Sequence, residues 1–146
     1  MAYNGWLIKI YKKNQSQSDY TIPFKFIRAE SYSVLRSGQD LDSYRDNNGD
    51  LQRTALDNFL YKVEFETPAL LTNTTFTELM SNIQSRYIDT IQKKVKVEMY
   101  VPELDSYETQ VCYVPDITPT MYLADTHIIK YNPIRIAFIG YGKNAT

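Results

Sequence analysis

The chain has 146 residues, 43% of them hydrophobic and 23% charged, which is the make-up of an ordinary globular domain with one core. Sixteen basic against seventeen acidic residues leave a formal charge of −1, which argues against a polybasic nucleic-acid binder or a membrane-surface anchor, and the apolar runs fall far short of the roughly 18 residues a membrane helix needs. A single cysteine, Cys112, excludes an internal disulfide, and a single histidine, His127, leaves little material for a metal site or proton shuttle.

Met1-Ala2-Tyr3-Asn4-Gly5 carries neither a charged start nor an apolar signal core, which predicts synthesis in the cytoplasm. In "WLIKIYK" (6–12) Trp6, Ile8 and Ile10 share one face of a strand. "NQSQSDY" (14–20) is a polar break of hairpin-loop type. "IPFKFIRAESYSVLRS" (22–37) resumes extended structure, with Phe24, Phe26, Tyr32 and Val34 alternating with polar neighbours in two strand segments and a bend near Ala29. Pro23 fits a strand start or an edge. "TALDNFLYKVEFETP" (54–68) is a further strand, most regular at Lys62–Glu66.

The period then changes. In "TFTELMSNIQSRY" (75–87), Phe76, Leu79, Met80, Ile83 and Tyr87 form an amphipathic helical stripe, predicting one helix over about 73–88. Thr75 and Glu78 have capping-box spacing, with Thr75 as N-cap. "KKVKVEMYV" (93–101) alternates cleanly, with Val95, Val97, Met99 and Val101 inward. "PELDSYE" (102–108) turns the chain, and "TQVCYVP" (109–115) returns it as a hairpin. "HIIKYNPIRIAFIGY" (127–141) closes the sheet, with Ile134, Ile136 and Phe138 on one face. Thirteen tyrosines and only five glycines agree with a mainly β, α+β domain, since tyrosine suits strands and half-buried or shared surfaces.

The most unusual stretch is "GQDLDSYRDNNGDLQR" (38–53). An EF-hand register that puts Gly49 at loop position 6 gives Asp46 and Asn48 at 3 and 5, but Tyr44 at 1 and Ala55 at 12. The first ligand and the bidentate one are then both missing, and no helices flank the loop. "DNNG" is instead a turn tetrad, the tip of a protruding β-hairpin over about 38–56 whose arms are polar on both sides. Catalysis is poorly supplied. Cys112 lies in a strand pattern, where a lone cysteine packs. His127 is fifteen residues on, the acids are scattered, and no Gly-rich phosphate loop is present. Lys93, Lys94 and Lys96 with Arg86 read as a solvated strand face, or more sharply as a lumen or subunit contact.

This order of elements, an N-terminal strand pair, "ESYSV", the "LDSYRDNNGDLQR" hairpin, "YKVEFETPALLTNTTFTELMSNIQ", "VKVEMYVPELDSYETQVCYVPDI" and "YNPIRIAFIGY", resembles a family of small tail proteins of tailed bacteriophages and prophages of Gram-positive bacteria. Through that family it is similar to the tail-tube fold of tube subunits and of the ring domain of distal tail proteins. The resemblance spans about Asn4 to Tyr141 and departs from the pattern in a longer first loop, "YKKNQSQSDY" (11–20). It rests on order and spacing and includes no catalytic motif.

What it implies is a tail-tube-like β-sandwich or barrel in the virion tail: a structural, non-enzymatic subunit without cofactors. The subunit would act as tube, tail-tip or distal-tail adaptor in the tail or baseplate. Six copies would form a ring next to tube, tape-measure or tail-tip hub proteins, without membrane insertion, and DNA would pass through the lumen without specific binding. Residues 38–56 would be an arm reaching a neighbour through Asp42, Tyr44, Arg45, Asp46, Asn48 and Arg53. A head-to-tail ring needs two different complementary surfaces, and the strand faces near Tyr100, Tyr113 and Tyr131 would supply the second. The alternative is a monomeric β-barrel module that binds a small ligand or protein partner, which would need a deep aromatic-lined pocket with convergent polar groups.

Overall fold

The computed structural model describes residues 3–142, leaving aside the side chains of residues 39–42, 54, 55 and 57. Among the described residues the elements are β1 (Ile8–Ile10), β2 (Tyr20–Thr21), β3 (Ser33–Arg45), β4 (Leu51–Glu66), β5 (Leu71–Thr72), α1 (Asn73–Gln84), β6 (Lys94–Val101), β7 (Ser106–Tyr113), β8 (Met121–Ala124), β9 (Ile129–Tyr131) and β10 (Arg135–Gly140). The protein is therefore mainly β with antiparallel sheets and one α-helix. No helix among the described residues is long and apolar enough to cross a membrane.

Alternation builds the large sheet, whose order is β2-β1-β6-β7-β10-β4-β3. On β6, Val95, Val97, Met99 and Val101 are fully buried, and Lys94, Lys96, Glu98 and Tyr100 point the other way. β7 returns beside it in register from Lys94↔Tyr113 to Val101↔Ser106, and Asp105 takes a left-handed φ of 47° in the turn. Ile8 and Ile10 of β1, Val63 and Phe65 of β4, and Ile136 and Phe138 of β10 extend the same buried face. Helix α1 covers it with Phe76, Leu79 and Ile83.

The helix starts and stops elsewhere than its sequence predicts. Thr72, not Thr75, is the N-cap: its Oγ1 accepts from the Thr75 N–H at 3.2 Å, which makes Thr75 the N3 residue. Glu78 does not reach back; it pairs with Lys25 at 3.5 Å. The helix ends at Gln84 rather than 88, because the Arg86 and Tyr87 amides bond three residues back in a tightened last turn. Tyr87 stays buried, so the apolar stripe outlasts the helix.

Two further expectations are corrected. Residues 22–32 are not strand: Phe24–Phe26 and Ala29–Ser31 are 3-10 turns. The Ile22 amide pairs with the Ile8 carbonyl, but Pro23 has no N–H to continue the ladder. In the turn Phe24 and Phe26 part company, the first 51% exposed and the second fully buried. The expected bend near Ala29 is there. The 127–141 stretch is two strands in two sheets. Around Asn132-Pro133 the chain leaves β9, in the small sheet β5-β9-β8, and enters β10 in the large one. Strand β8, unforeseen in the sequence, is exposed along its whole length.

Candidate functional site: a protruding hairpin arm

The arm is longer than the 38–56 stretch expected from the sequence. β3 and β4 pair from Ser33↔Glu64 out to Arg45↔Leu51, with register shifts at Gly38/Gln39 and Asp40/Asp42. Such bulges bend a strand pair and raise its twist. Among the described side chains from Ser33 to Leu60, none is buried. Leu35 and Tyr44 are 59% exposed, and Leu51 and Leu56 are exposed too. Opposed residues share a face, so Tyr44 stands with Gln52, and Arg45 with Leu51.

The tip explains why "DNNG" turns. Gly49 takes φ 84°, which glycine adopts without steric cost. Its amide donates to the Asp46 carbonyl at 2.9 Å. The Asp46 Oδ1 accepts from the Asn48 and Asp50 amides at 2.9 and 3.0 Å, and Oδ2 from Gln52 Nε2 at 3.1 Å. Those bonds, the Asp50 amide first and then those of Asn48 and Gln52, hold its carboxyl below the usual carboxylate range. Asp46 is thus engaged in shaping the tip, as is Asn48 through its amide. Arg45 Nη1 donates to the Gly49 carbonyl at 2.9 Å. Tyr44 stays exposed, and Arg53 sits opposite Ser43. The side chain of Asp42 lies outside the described residues.

At its root the arm's two strands are tied to each other and, through one side chain, to the large sheet. Arg36 Nε donates to the Tyr61 hydroxyl at 3.2 Å, and its guanidinium lies 3.7 Å from the centre of the Phe59 ring. From the sheet side, Gln110 Nε2 donates to the Phe59 carbonyl at 2.6 Å, and its Oε1 accepts the Tyr61 amide at 3.2 Å. The sequence reading missed Gln110. The available signal was a polar residue at an inward position, opposite Val97.

The three tyrosines of the expected second surface are not brought together. Tyr100 and Tyr113 share the outward face of β6–β7 but lie toward opposite ends, beside Tyr107 and Lys94 respectively. Tyr131 packs edge-on to Phe76 of the helix at 5.3 Å. Tyr100 donates to Asp105 Oδ1 at 2.6 Å, which, ahead of burial, raises its pKa. It belongs to an aromatic cluster with Tyr3, Tyr107 and Trp6, the last stacked on Tyr107 at 4.2 Å.

The basic group around residue 93 is also dispersed. Arg86 is buried, and its Nε and Nη2 both donate to the Ser18 carbonyl. Lys93 pairs with Asp116 at 3.4 Å. Lys94 and Lys96 lie over the rings of Tyr141 and Tyr11. Cys112 is sealed in the core, where burial pushes its thiol up to about 12, whereas His127 sits in the exposed turn before β9. An open groove of about 450 Å³ runs between α1 and residues 114–119, lined by Phe76, Met80, Tyr87, Val114 and Ile117. Thr77, Ser81, Gln84, Thr90 and Lys93 also line it, and Lys93 pairs with the exposed Asp116.

The chain matches the model of a family of unknown function, DUF6711, over residues 1–141. No curated protein matches it. Among solved structures it is similar to a chain from the tail of an empty gene transfer agent particle, determined by helical refinement with C6 symmetry. Identity is 14% and the TM-score 0.44, over 99% of this chain and 100% of that one. A chain of the virion of a native gene transfer agent particle matches at 14% identity and a TM-score of 0.49, with the same coverage. A chain of the phage p2 baseplate, in its activated conformation with Sr, matches at 15% identity and a TM-score of 0.46, over 92% of this chain and 44% of that one.

Proposed function

The chain belongs to the DUF6711 family of unknown function, and from that premise we propose that it is a structural subunit of the tail of a phage or phage-derived particle, joined to its neighbours by the hairpin arm. The arm itself carries the proposal. Ordering a residue costs roughly 1–2 kcal/mol of backbone entropy, and a strand pair with solvent on both faces recovers little of that by burial. Yet this one presents Leu35, Tyr44, Leu51 and Leu56 to solvent. β3 is also an edge strand, thirteen residues long, and "SVLRSGQDLDSYR" contains neither proline nor lysine. Those are two of the devices that keep an edge from pairing; the bulges at 38–42 and the charges Arg36, Asp40, Asp42 and Arg45 are two others, so strand addition by a second chain fits best on the regular segments 33–37 and 43–45.

The remaining parts of the reading follow from the likeness in element order described for the sequence. The subunit repeats head to tail in a ring, six copies by that likeness, as tube, tail-tip or distal-tail adaptor. The arm contributes Tyr44, Arg45 and Arg53, with Asp42, to one contact, and the Tyr100–Tyr107 cluster lies in the other. Tube, tape-measure and tail-tip hub proteins are its neighbours, and DNA crosses the lumen.

Deleting residues 40–52 and closing the strands with a two-residue turn tests this. The expected outcome is a body with unchanged circular dichroism and core amide protection that no longer enters rings, tubes or particles, read by light scattering and negative-stain imaging. Where the isolated chain is monomeric, co-expression with the tail proteins of its own particle supplies the assembly assay. Rings or particles that form normally from the truncated chain would show that the arm is not the assembly element.

A further inference from the structure

β10 stops at Gly140; the Tyr141 amide still donates to the Val111 carbonyl of β7 at 2.9 Å, and Gly142, at φ 130°, is buried, where a Cβ would lie 3.2 Å from the Asn58 carboxamide of β4. β4 runs on beyond β10: the last β10–β4 pair is Ile139↔Lys62, and among the described residues β4 from Tyr61 outward has only β3 as a strand partner. The Phe59 carbonyl and Tyr61 amide on the abandoned side are met by a single side chain, Gln110 of β7. A carboxamide offers an N–H donor and a carbonyl acceptor, as a peptide unit does, so it can replace one rung of a ladder. Gln110 is 5% exposed and makes both bonds.

The rung fits because position 140 has no side chain. A Cβ there would lie 1.9 Å from Gln110 Oε1 and 3.1 Å from the Tyr61 carbonyl oxygen. Gly140 is not among the positive-φ glycines, so what it supplies is space. From Tyr61 along β4 to Leu51, the last paired residue before the tip, is ten residues, or about 33 Å at the usual rise per residue. A tilt of about 10° at the root would therefore carry the tip through roughly 6 Å, enough to miss any contact that needs a fixed register.

We propose that Gln110 is a positioning residue for the arm: seated over Gly140, its amide clamps the arm's root to the large sheet and sets the direction in which the arm leaves the body. Its consequence for assembly rests on the arm being the assembly element, whereas the clamp itself does not. Amide exchange of the full chain, kept monomeric by dilution, reads the clamp for Gln110→Ala, Gly140→Ala and the double variant. Gln110→Met, which keeps the volume and removes both polar groups, guards against a mere packing loss.

In Gln110→Ala and Gln110→Met, exchange at Tyr61 accelerates about tenfold to a hundredfold, the effect of losing a buried amide bond, with β6 and β7 amides unchanged. Gly140→Ala gives the same signature, and adding it to Gln110→Ala costs less than it does alone, because the carboxamide it displaces is gone and only the close approach to the Tyr61 carbonyl remains. Unchanged Tyr61 exchange, or effects that simply add, overturns the clamp. Gln110→Met also raises the concentration for half-maximal assembly at least tenfold without unfolding the body, and unchanged assembly overturns the positioning role. If the residue 40–52 deletion assembles normally, the arm reading falls while the exchange data still decide the clamp.

Discussion

Replacing Arg86 by methionine tests how the long first loop is held. Arg86 is 7% exposed, and its guanidinium forks onto the Ser18 carbonyl at 3.0 and 2.8 Å, with a third bond to the Asn82 carbonyl at 2.8 Å. Gln17 Nε2 adds a bond to the Ser85 carbonyl at 2.7 Å, so residues 17 and 18 are tied to the end of the helix. Hydrogen bonds from a charged donor contribute roughly 1.5–3 kcal/mol each, but Ser18 is at the surface and its carbonyl can take water instead. Methionine also keeps much of the packing of the aliphatic stem.

The net loss is then about 2–3 kcal/mol, well below the sum of three bonds. With an unfolding entropy near 0.3 kcal/mol per degree for a domain of this size, the melting temperature falls by about 7–10 °C. Calorimetry measures it. Arg86→Lys, a point charge that cannot fork, recovers less than half. A fall of less than about 2 °C for Arg86→Met would refute the reasoning: the loop would then be carried by β1 and β2 and not by the helix end.

At the tip, the folded pKa of Asp46 lies below its ordinary 3.8, so its bonds stabilise the turn above that value and are lost as pH falls through the lower folded value. Amide chemical shifts of Asn48 and Asp50 should titrate with a midpoint below 3.8, and Asp46→Ala should remove the transition; a midpoint at or above 3.8 contradicts the geometry. Cys112, fully buried with its thiol pushed up to about 12, should resist a thiol reagent at pH 8 and react only as fast as the protein opens. Rapid modification of the native protein would place that thiol at a surface.

The chain's own order of residues determined what depends on near neighbours. Alternation in 94–101, the stripe from Phe76 to Tyr87 and the turn chemistry of Asp46 to Gly49 are short-range sterics and hydrogen bonding, and they appear in the fold close to where the sequence puts them. Local competition shifted details: Thr72 outbid Thr75 for the cap, and Pro23 ended a ladder.

Tertiary structure alone decided which distant residues meet. Arg86, seven residues before a lysine-rich stretch, turned inward to a carbonyl 68 residues away. Tyr100, Tyr113 and Tyr131, alike on paper, went to different places in the fold. Gln110 found the arm's root 49 and 51 residues back, through a gap left by Gly140. Such meetings depend on strand order and on how far each strand runs, and no period in the sequence records either. They are set when loops close and the buried faces of strands far apart in the chain are forced into one core.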